Sequence, residues 1–299
     1  MAILLPAIAP LALIILAGFI AGRTLNLDRF TLSRLSLYVL LPALIANSLY
    51  GITLTAERAL LIACGFFLIS ALLYVLVYTL CRCCQVDPLR QKTLIATTLF
   101  ANTGNLGLSF ITFALGQPGL ERAVVYLVSS SILLTAIGPT LLKGQGLATG
   151  LRTTLRLPVF WAMLMGLTLQ AFSINLPLRL DDGLALLGGA AIPVALITLG
   201  IQLAKTHFYM DRLVLIAAAL RLVVAPAIAF PVGTAIGLQG QELQVLMLQG
   251  AMPTAVNTFI WVTEFGGDSD LVARTIVLST LLSFITLPSL LWALLTFVP

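Results

Sequence analysis

Charge is what this chain has least of. Charged residues make up 9% of its 299 positions, 11 acidic and 16 basic, against about 25% in a soluble globular domain. Histidine is nearly absent, with His207 alone in a charged loop, and there are four cysteines. A lone solvated histidine supplies neither a catalytic triad nor a histidine metal set, and no P-loop or haem-attachment pattern occurs, so the chain does not read as an enzyme. Cys81, Cys83 and Cys84 cluster without acidic or histidine neighbours. Interfacial or lipidated cysteines fit that cluster better than metal ligands, and a reducing cytosol disfavours a disulfide. Asp181 and Asp182 belong near a surface, and the acid nearest to the depth of a predicted helix is Glu264. Proton relays and tight sodium sites recruit buried carboxylates. Either Glu264 does that work or coupling is weak or absent and Glu264 is a loop-end charge; proton or sodium coupling stays open, and no other cofactor and no metal is expected.

What remains is apolar. Hydrophobic residues reach 60% and the mean hydropathy is +1.10. Ten runs approach or exceed the roughly 20 residues of a membrane helix: 3–22, 33–50, 59–80, 93–115, 120–142, 157–175, 184–204, 212–236, 243–264 and 271–297. The fold class that follows is an all-α polytopic membrane protein of ten helices in contact with the lipid bilayer. The first run has no basic start, and Pro6 and Pro10 interrupt it, so it reads as a retained helix and not a signal peptide. Arg23, Arg29, Arg34, Arg82, Arg90, Lys92, Lys143, Arg152, Arg156, Lys205, Arg212 and Arg274 follow odd-numbered helices, whereas Arg58, Arg122 and Arg179 follow even ones. Twelve against three predicts cytoplasmic odd-to-even loops and both termini outside. That distribution explains the net charge of +5 without a nucleic-acid partner.

Laid over each other, the two halves share landmarks. Pro10 and Gly18 are spaced as Pro158 and Gly166, Leu41-Pro42 answers Ile192-Pro193, and Gly116 answers Gly266. Five helices per half reverse the orientation of the second, which makes an inverted repeat: 1–142, a glycine-rich cytoplasmic linker at 143–156, and 157–299.

Two of the runs, about 150 residues apart, are broken by small, amide and imino residues: Phe100–Leu108 and Gly250–Asn257. An unpaired backbone amide in lipid costs several kcal/mol, so such breaks survive only inside protein or beside a cavity. At a rise of 1.5 Å per residue each break lies about 15 Å deep, near the bilayer middle. Gly104 and Gly107 admit unusual backbone angles, and Pro253 removes an N–H. The half-helix after each break is expected to present free N–H groups and a positive dipole end, which together favour an anion such as a carboxylate. Asn102, Thr103, Asn105, Thr254, Asn257 and Thr258 would add neutral hydrogen bonds; the competing reading is that they satisfy broken backbone or join helices. Arg221, about ten residues into the eighth run, is a candidate for gating or anion attraction, or a residue that snorkels to the interface.

At these residues the chain resembles the auxin efflux carrier family, within the bile acid, arsenite and riboflavin transporter group. The resemblance rests on Ala101–Gly107, Arg221–Pro226, Met252–Asn257 and Glu264–Asp268. It implies broken fourth and ninth helices crossing at the midplane, a scaffold of helices 1, 2, 6 and 7, a transport domain of helices 3–5 and 8–10, and a homodimer. It also implies organic-anion substrates, including auxin in plants and malonate or malate in bacteria. Gly104, Asn105, Pro253 and Asn257 then fall on the substrate site, with Asn47 and Ser48 on its scaffold side and Pro42 and Pro193 shaping the scaffold wall. The acidic residue of helix three in plant carriers has no counterpart between Leu61 and Leu80, and the long plant loop is missing. The expectation is a bacterial inner-membrane secondary transporter of small mono- or dicarboxylates working by alternating access. A passive anion channel and a membrane sensor without flux are the alternatives.

Overall fold

The computed structural model describes residues 4–138, 152, 154–204, 210–264 and 266–297, with the backbone alone for 4–8, 29, 30 and 264. His207, the side chain of Glu264 and all of the expected linker except 152 and 154–156 lie outside the described residues. The described residues are helical throughout, and their one β-type pairing is an isolated bridge.

Among the described residues eleven helices follow in order. They are α1 (Leu4–Thr24); α2 (Arg29–Leu35 and Leu41–Tyr50, joined by a π turn at Ser36–Leu40); α3 (Ala56–Cys83); α4 (Pro88–Leu99); and α5 (Thr103–Ile137). Then come α6 (Pro158–Ala171), α7 (Leu180–Ala204), α8 (Arg212–Ala235), α9 (Gly240–Gly250), α10 (Thr258–Glu264) and α11 (Ser269–Phe297). Six stretches, those of α2, α3, α5, α7, α8 and α11, are long and apolar enough to cross a membrane. The run expected at 93–115 divides at Phe100, and its second part is set off from the run expected at 120–142 by non-helical backbone at Gly116, where φ is +69° and ψ is −163°, so α5 is two helical segments joined by a kink. Glycine tolerates that left-handed angle without a Cβ clash. The run at 243–264 divides into α9 and α10.

Helix starts follow local chemistry. Asp87 accepts from Leu89 N (3.0 Å) and Arg90 N (3.4 Å) with Pro88 in the first turn, and Asp211 accepts from Val214 N at 3.0 Å. Each satisfies N–H groups that a helix start leaves open.

Packing divides the helices into two groups. α1 lies along α7, and the second part of α2 packs on both α6 and α7. Those contacts are close because glycines stand in them: a Cβ on Gly188 would sit 2.9 Å from Leu44 Cα, and one on Gly166 would sit 2.8 Å from the Ala46 carbonyl oxygen. Small residues let membrane helices approach where lipid supplies no hydrophobic drive. The second group comprises α3, α4, α5, α8, α9, α10 and α11, which pack among themselves. The groups meet chiefly where α1 and α7 touch α5. Large apolar side chains such as Leu13, Leu186 and Trp292 face outward, which suits a hydrocarbon solvent.

Candidate functional site

The two breaks are bonded to each other. α4 ends at Phe100, whose backbone turns extended (φ −96°, ψ 90°), and the chain runs on to Asn102. There Asn102 N donates to the Pro253 carbonyl at 2.7 Å and Ala255 N donates to the Phe100 carbonyl at 2.8 Å. Ala101 and Thr254 thereby form an antiparallel bridge. Each break supplies the partners that the other's backbone lacks, as a water-free interior demands.

The ends flanking the breaks are satisfied from outside. Arg221, 3% exposed, donates through Nε to Met252 O (2.7 Å), through Nη1 to Thr98 O (2.7 Å), and through Nη2 to Gly250 O (2.5 Å) and Gln249 O (3.4 Å). These carbonyls belong to the last turns of α4 and α9 and the residues just beyond. A helix C-terminus presents orphan acceptors and a partial negative charge, so one cation caps two helices. Thr254 Oγ1 donates to Thr97 O at 2.9 Å and Thr258 Oγ1 to Phe100 O at 3.4 Å. Both hydroxyls thus serve the broken backbone.

Beyond the breaks the two helix starts differ. At α10 the N–H groups of Thr258, Phe259 and Ile260 donate to the carbonyls of Ala255, Val256 and Asn257, each at 3.1 Å. Those i to i+3 bonds start the turn at Ala255, so the N–H groups of Val256 and Asn257 are the ones that a helix start leaves without intrahelical partners. At α5 the first turn opens with a π segment at Thr103–Leu108, in which Gly107 N reaches Asn102 O at 2.9 Å. The N–H groups of Gly104 and Asn105, ahead of it, are those a helix start leaves without intrahelical partners.

Two cavities flank this feature. One, about 40 Å³, runs from Gly104, Asn105 and Asn257 to Ser33, Ser36, Thr198 and Gln202 at the ends of α2 and α7 nearest the predicted cytoplasmic loops. The other, about 110 Å³, runs from Asn102, Thr103, Asn105 and Asn257 to Ser130 and Ser131 of α5. Asn105 and Asn257 line both. Asn102 is 4% exposed, and its Nδ2 has no hydrogen-bond partner. Thr103 Oγ1 and Ser130 Oγ pair at 2.9 Å. No lysine, arginine, histidine or acid is among the lining residues of either cavity.

Of the residues singled out in the sequence, Asn102, Thr103, Gly104, Asn105 and Asn257 come together on the cavities. Pro253 and Thr254 lie behind them in the bridge, and Arg221 lies behind it too, with its guanidinium engaged on carbonyls. Pro42 and Pro193 are off the lining, although their neighbours Leu41 and Ile192 are on it; Asn47 and Ser48 are off it as well. Sequence reasoning missed Ser33, Ser36, Thr198, Gln202, Ser130 and Ser131. The signal for Ser33 with Ser36 and for Thr198 with Gln202 was polar residues at i, i+3 or i, i+4 on an otherwise apolar run, and Ser130 and Ser131 stand in a run of three serines. It also missed a buried acid: Glu121, 4% exposed beyond the bend at Gly116, accepts from Thr53 N and Oγ1, both at 2.9 Å. Among the described residues no group of three or more His, Cys, Asp or Glu side chains is placed to hold a metal ion.

The profile of the family described as Membrane transport protein matches residues 3–146 and 147–291. The chain belongs to this family, that of the auxin efflux carriers. It is 28% identical over 272 residues to an uncharacterized transporter of Methanothermobacter thermautotrophicus, covering 89% of this chain and 88% of that protein. It is 24% identical over 297 residues to the uncharacterized transporter YfdV of Escherichia coli K12, covering 93% and 94%. Auxin efflux carrier component 1 of Arabidopsis thaliana is 28% identical over 139 residues, which is 44% of this chain and 22% of the plant protein. The six long apolar helices and the family together make this a multi-pass membrane transporter.

Proposed function

We propose that this family member is a secondary transporter of small organic anions, mono- or dicarboxylates such as malonate or malate, working by alternating access in a bacterial inner membrane. The observation that carries the reading is the pair of joined breaks beside cavities lined by Asn102, Asn105 and Asn257. Amide donors and the open first turn of α5 attract a carboxylate without a fixed counter-charge, so release is not opposed by a salt bridge. The packing of α1, α2, α6 and α7 on one another, apart from the helices around the breaks, supports a scaffold and a moving transport domain. The substrate would sit between them at the bilayer midplane, where the inverted repeats cross, in a homodimer with periplasmic termini.

The test is uptake of labelled acids into liposomes holding the purified protein, with and without proton and sodium gradients. Saturable, trans-stimulated flux is expected. Flux that does not saturate makes the protein a channel, and binding without flux makes it a sensor. Absence of both binding and flux for every organic acid removes the proposal.

A further inference from the structure

Ser36 stands apart from the other hydroxyls on the wall opposite the paired asparagines. Serines and threonines within apolar helices usually return their hydrogen to a carbonyl one turn back. Ser70, Ser109, Ser129, Thr97 and Thr198 do so here, at 2.6 to 2.9 Å. Ser36 Oγ has no partner and is 8% exposed. The hydroxyls of Ser48, Thr98, Thr280 and Thr286 share that state, but none of them lines the cavity, whereas Ser36 does.

Its position follows from the backbone. Ser36 opens the π turn Ser36–Leu40 of α2, and π turns recur at functional sites because the extra residue re-aims side chains. Each of the four π segments among the described residues contributes to this region. Ser36 and Thr103–Leu108 line a cavity, Leu134 of Leu133–Ile137 lines the larger one, and Arg221 of Leu220–Val224 caps the breaks.

We propose that the ligand is two-ended: a carboxylate held at Asn105 and Asn257, and an uncharged hydrogen-bonding group, a hydroxyl or carbonyl, held at Ser36. The inference rests on the reading of the cavity as the substrate site for an organic anion and narrows that class to singly charged hydroxy- or oxo-acids, setting aside the dicarboxylates included in it. Charge decides against a dianion. The Ser36 end carries Ser33, Thr198 and Gln202 beside it and no cationic lining residue. A second carboxylate buried there would lose its hydration without an opposite charge, a penalty of several kcal/mol. A plain alkyl acid would leave the Ser36 hydroxyl unpaired, which also disfavours it.

The experiment compares binding of length-matched acids to the purified full chain at pH 7: propionate, 3-hydroxypropionate and malonate, then butyrate, 4-hydroxybutyrate and succinate. Wild type, Ser36→Ala and Ser36→Thr are titrated. In wild type at least one hydroxy acid binds tighter than both its alkyl and its dicarboxylate counterparts. In Ser36→Ala its advantage over the alkyl acid falls by about fivefold, the loss of one neutral hydrogen bond. Ser36→Thr keeps the advantage, and retained alkyl-acid binding shows that the variants are folded. A dicarboxylate that binds as tightly as the hydroxy acid in both series, or an advantage that survives in Ser36→Ala, overturns the proposal while leaving a carboxylate site. If none of the acids binds wild type, the reading of the cavity falls, and this inference falls with it.

Discussion

Asn102 N and the Pro253 carbonyl oxygen lie 2.7 Å apart, so the two interruptions of the chain form a single hydrogen-bonded element. Pro253 suits its place because an acceptor and not a donor is required there: its carbonyl is used, and the N–H it lacks is not missed. Thr254 follows, with Oγ1 on Thr97 O and its own N–H on Ser279 Oγ at 3.2 Å. Disturbing either break therefore disturbs both.

Arg221 is expected to dominate the stability of this element. Arg221→Met leaves the carbonyls of Thr98, Gly250 and Met252 buried without their present donor, and each such loss costs about 1–3 kcal/mol. A large fall in the thermal midpoint in detergent follows, with or without substrate. Arg221→Lys keeps the charge near the helix ends but not the planar fork that reaches all of them, so its midpoint falls between the two. An Arg221→Met midpoint equal to wild type would show that the cap contributes nothing.

Gly107 and Gln249 form a second tight pair. A Cβ on Gly107 would collide with Gln249 Oε1, and the Gln249 amide is fully buried with Nε2 3.5 Å from Thr103 O. Gly107→Ala is expected to lose about 1–3 kcal/mol by overpacking. Gln249→Ala opens that space, so the double variant should lose less than the sum of the singles. Additive losses in a double-mutant cycle would mean that the two side chains do not compete for the space.

How much of this could be read in the sequence depends on where the partners lie. The breaks were legible because Gly104, Gly107 and Pro253 violate a local rule. Arg221 was noticed for its depth, yet its role was not legible: its acceptors are backbone atoms, one of them 123 positions away at Thr98. The early start of the α10 turn at Ala255 depends on backbone angles between Ala255 and Asn257, which composition does not specify. Ser36 looked like any small polar residue near a helix end, because its missing partner is a property of the π turn.

Binding and stability should separate along the lining. Asn105→Ala and Asn257→Ala are expected to weaken carboxylate binding by about tenfold to a hundredfold each, the range for one lost hydrogen bond to a charged group, with small changes in the unliganded midpoint. Thr254→Ala, whose hydroxyl serves the backbone, should lower the midpoint. Asn102→Ala removes a buried donor without a partner, so the unliganded protein should be no less stable while affinity falls. Titration and thermal unfolding of the four variants, run side by side, measure both quantities. If Asn105→Ala and Asn257→Ala bind acids as wild type does, the site lies elsewhere.

Asp211 gives the protein an acid-sensitive contact outside the membrane-spanning helices. The N–H of Val214 chiefly, helped by the Arg274 guanidinium at 2.7 Å and the N–H of Leu213, holds its carboxyl below the ordinary 3.8 although burial pushes it up. A carboxyl lowered on folding stabilises the folded state above its unfolded value, and that contribution disappears as pH falls through the folded value. The thermal midpoint of wild type should therefore drop on acidification below about pH 4 more than that of Asp211→Ala, which lacks the titrating group. At neutral pH the same substitution should cost about 1 kcal/mol, the worth of a helix cap, because the ion pair is partly exposed and screened. Midpoints of the two proteins measured from pH 6 to pH 3 check both statements. Parallel curves would mean that Asp211 titrates alike in the folded and unfolded chains.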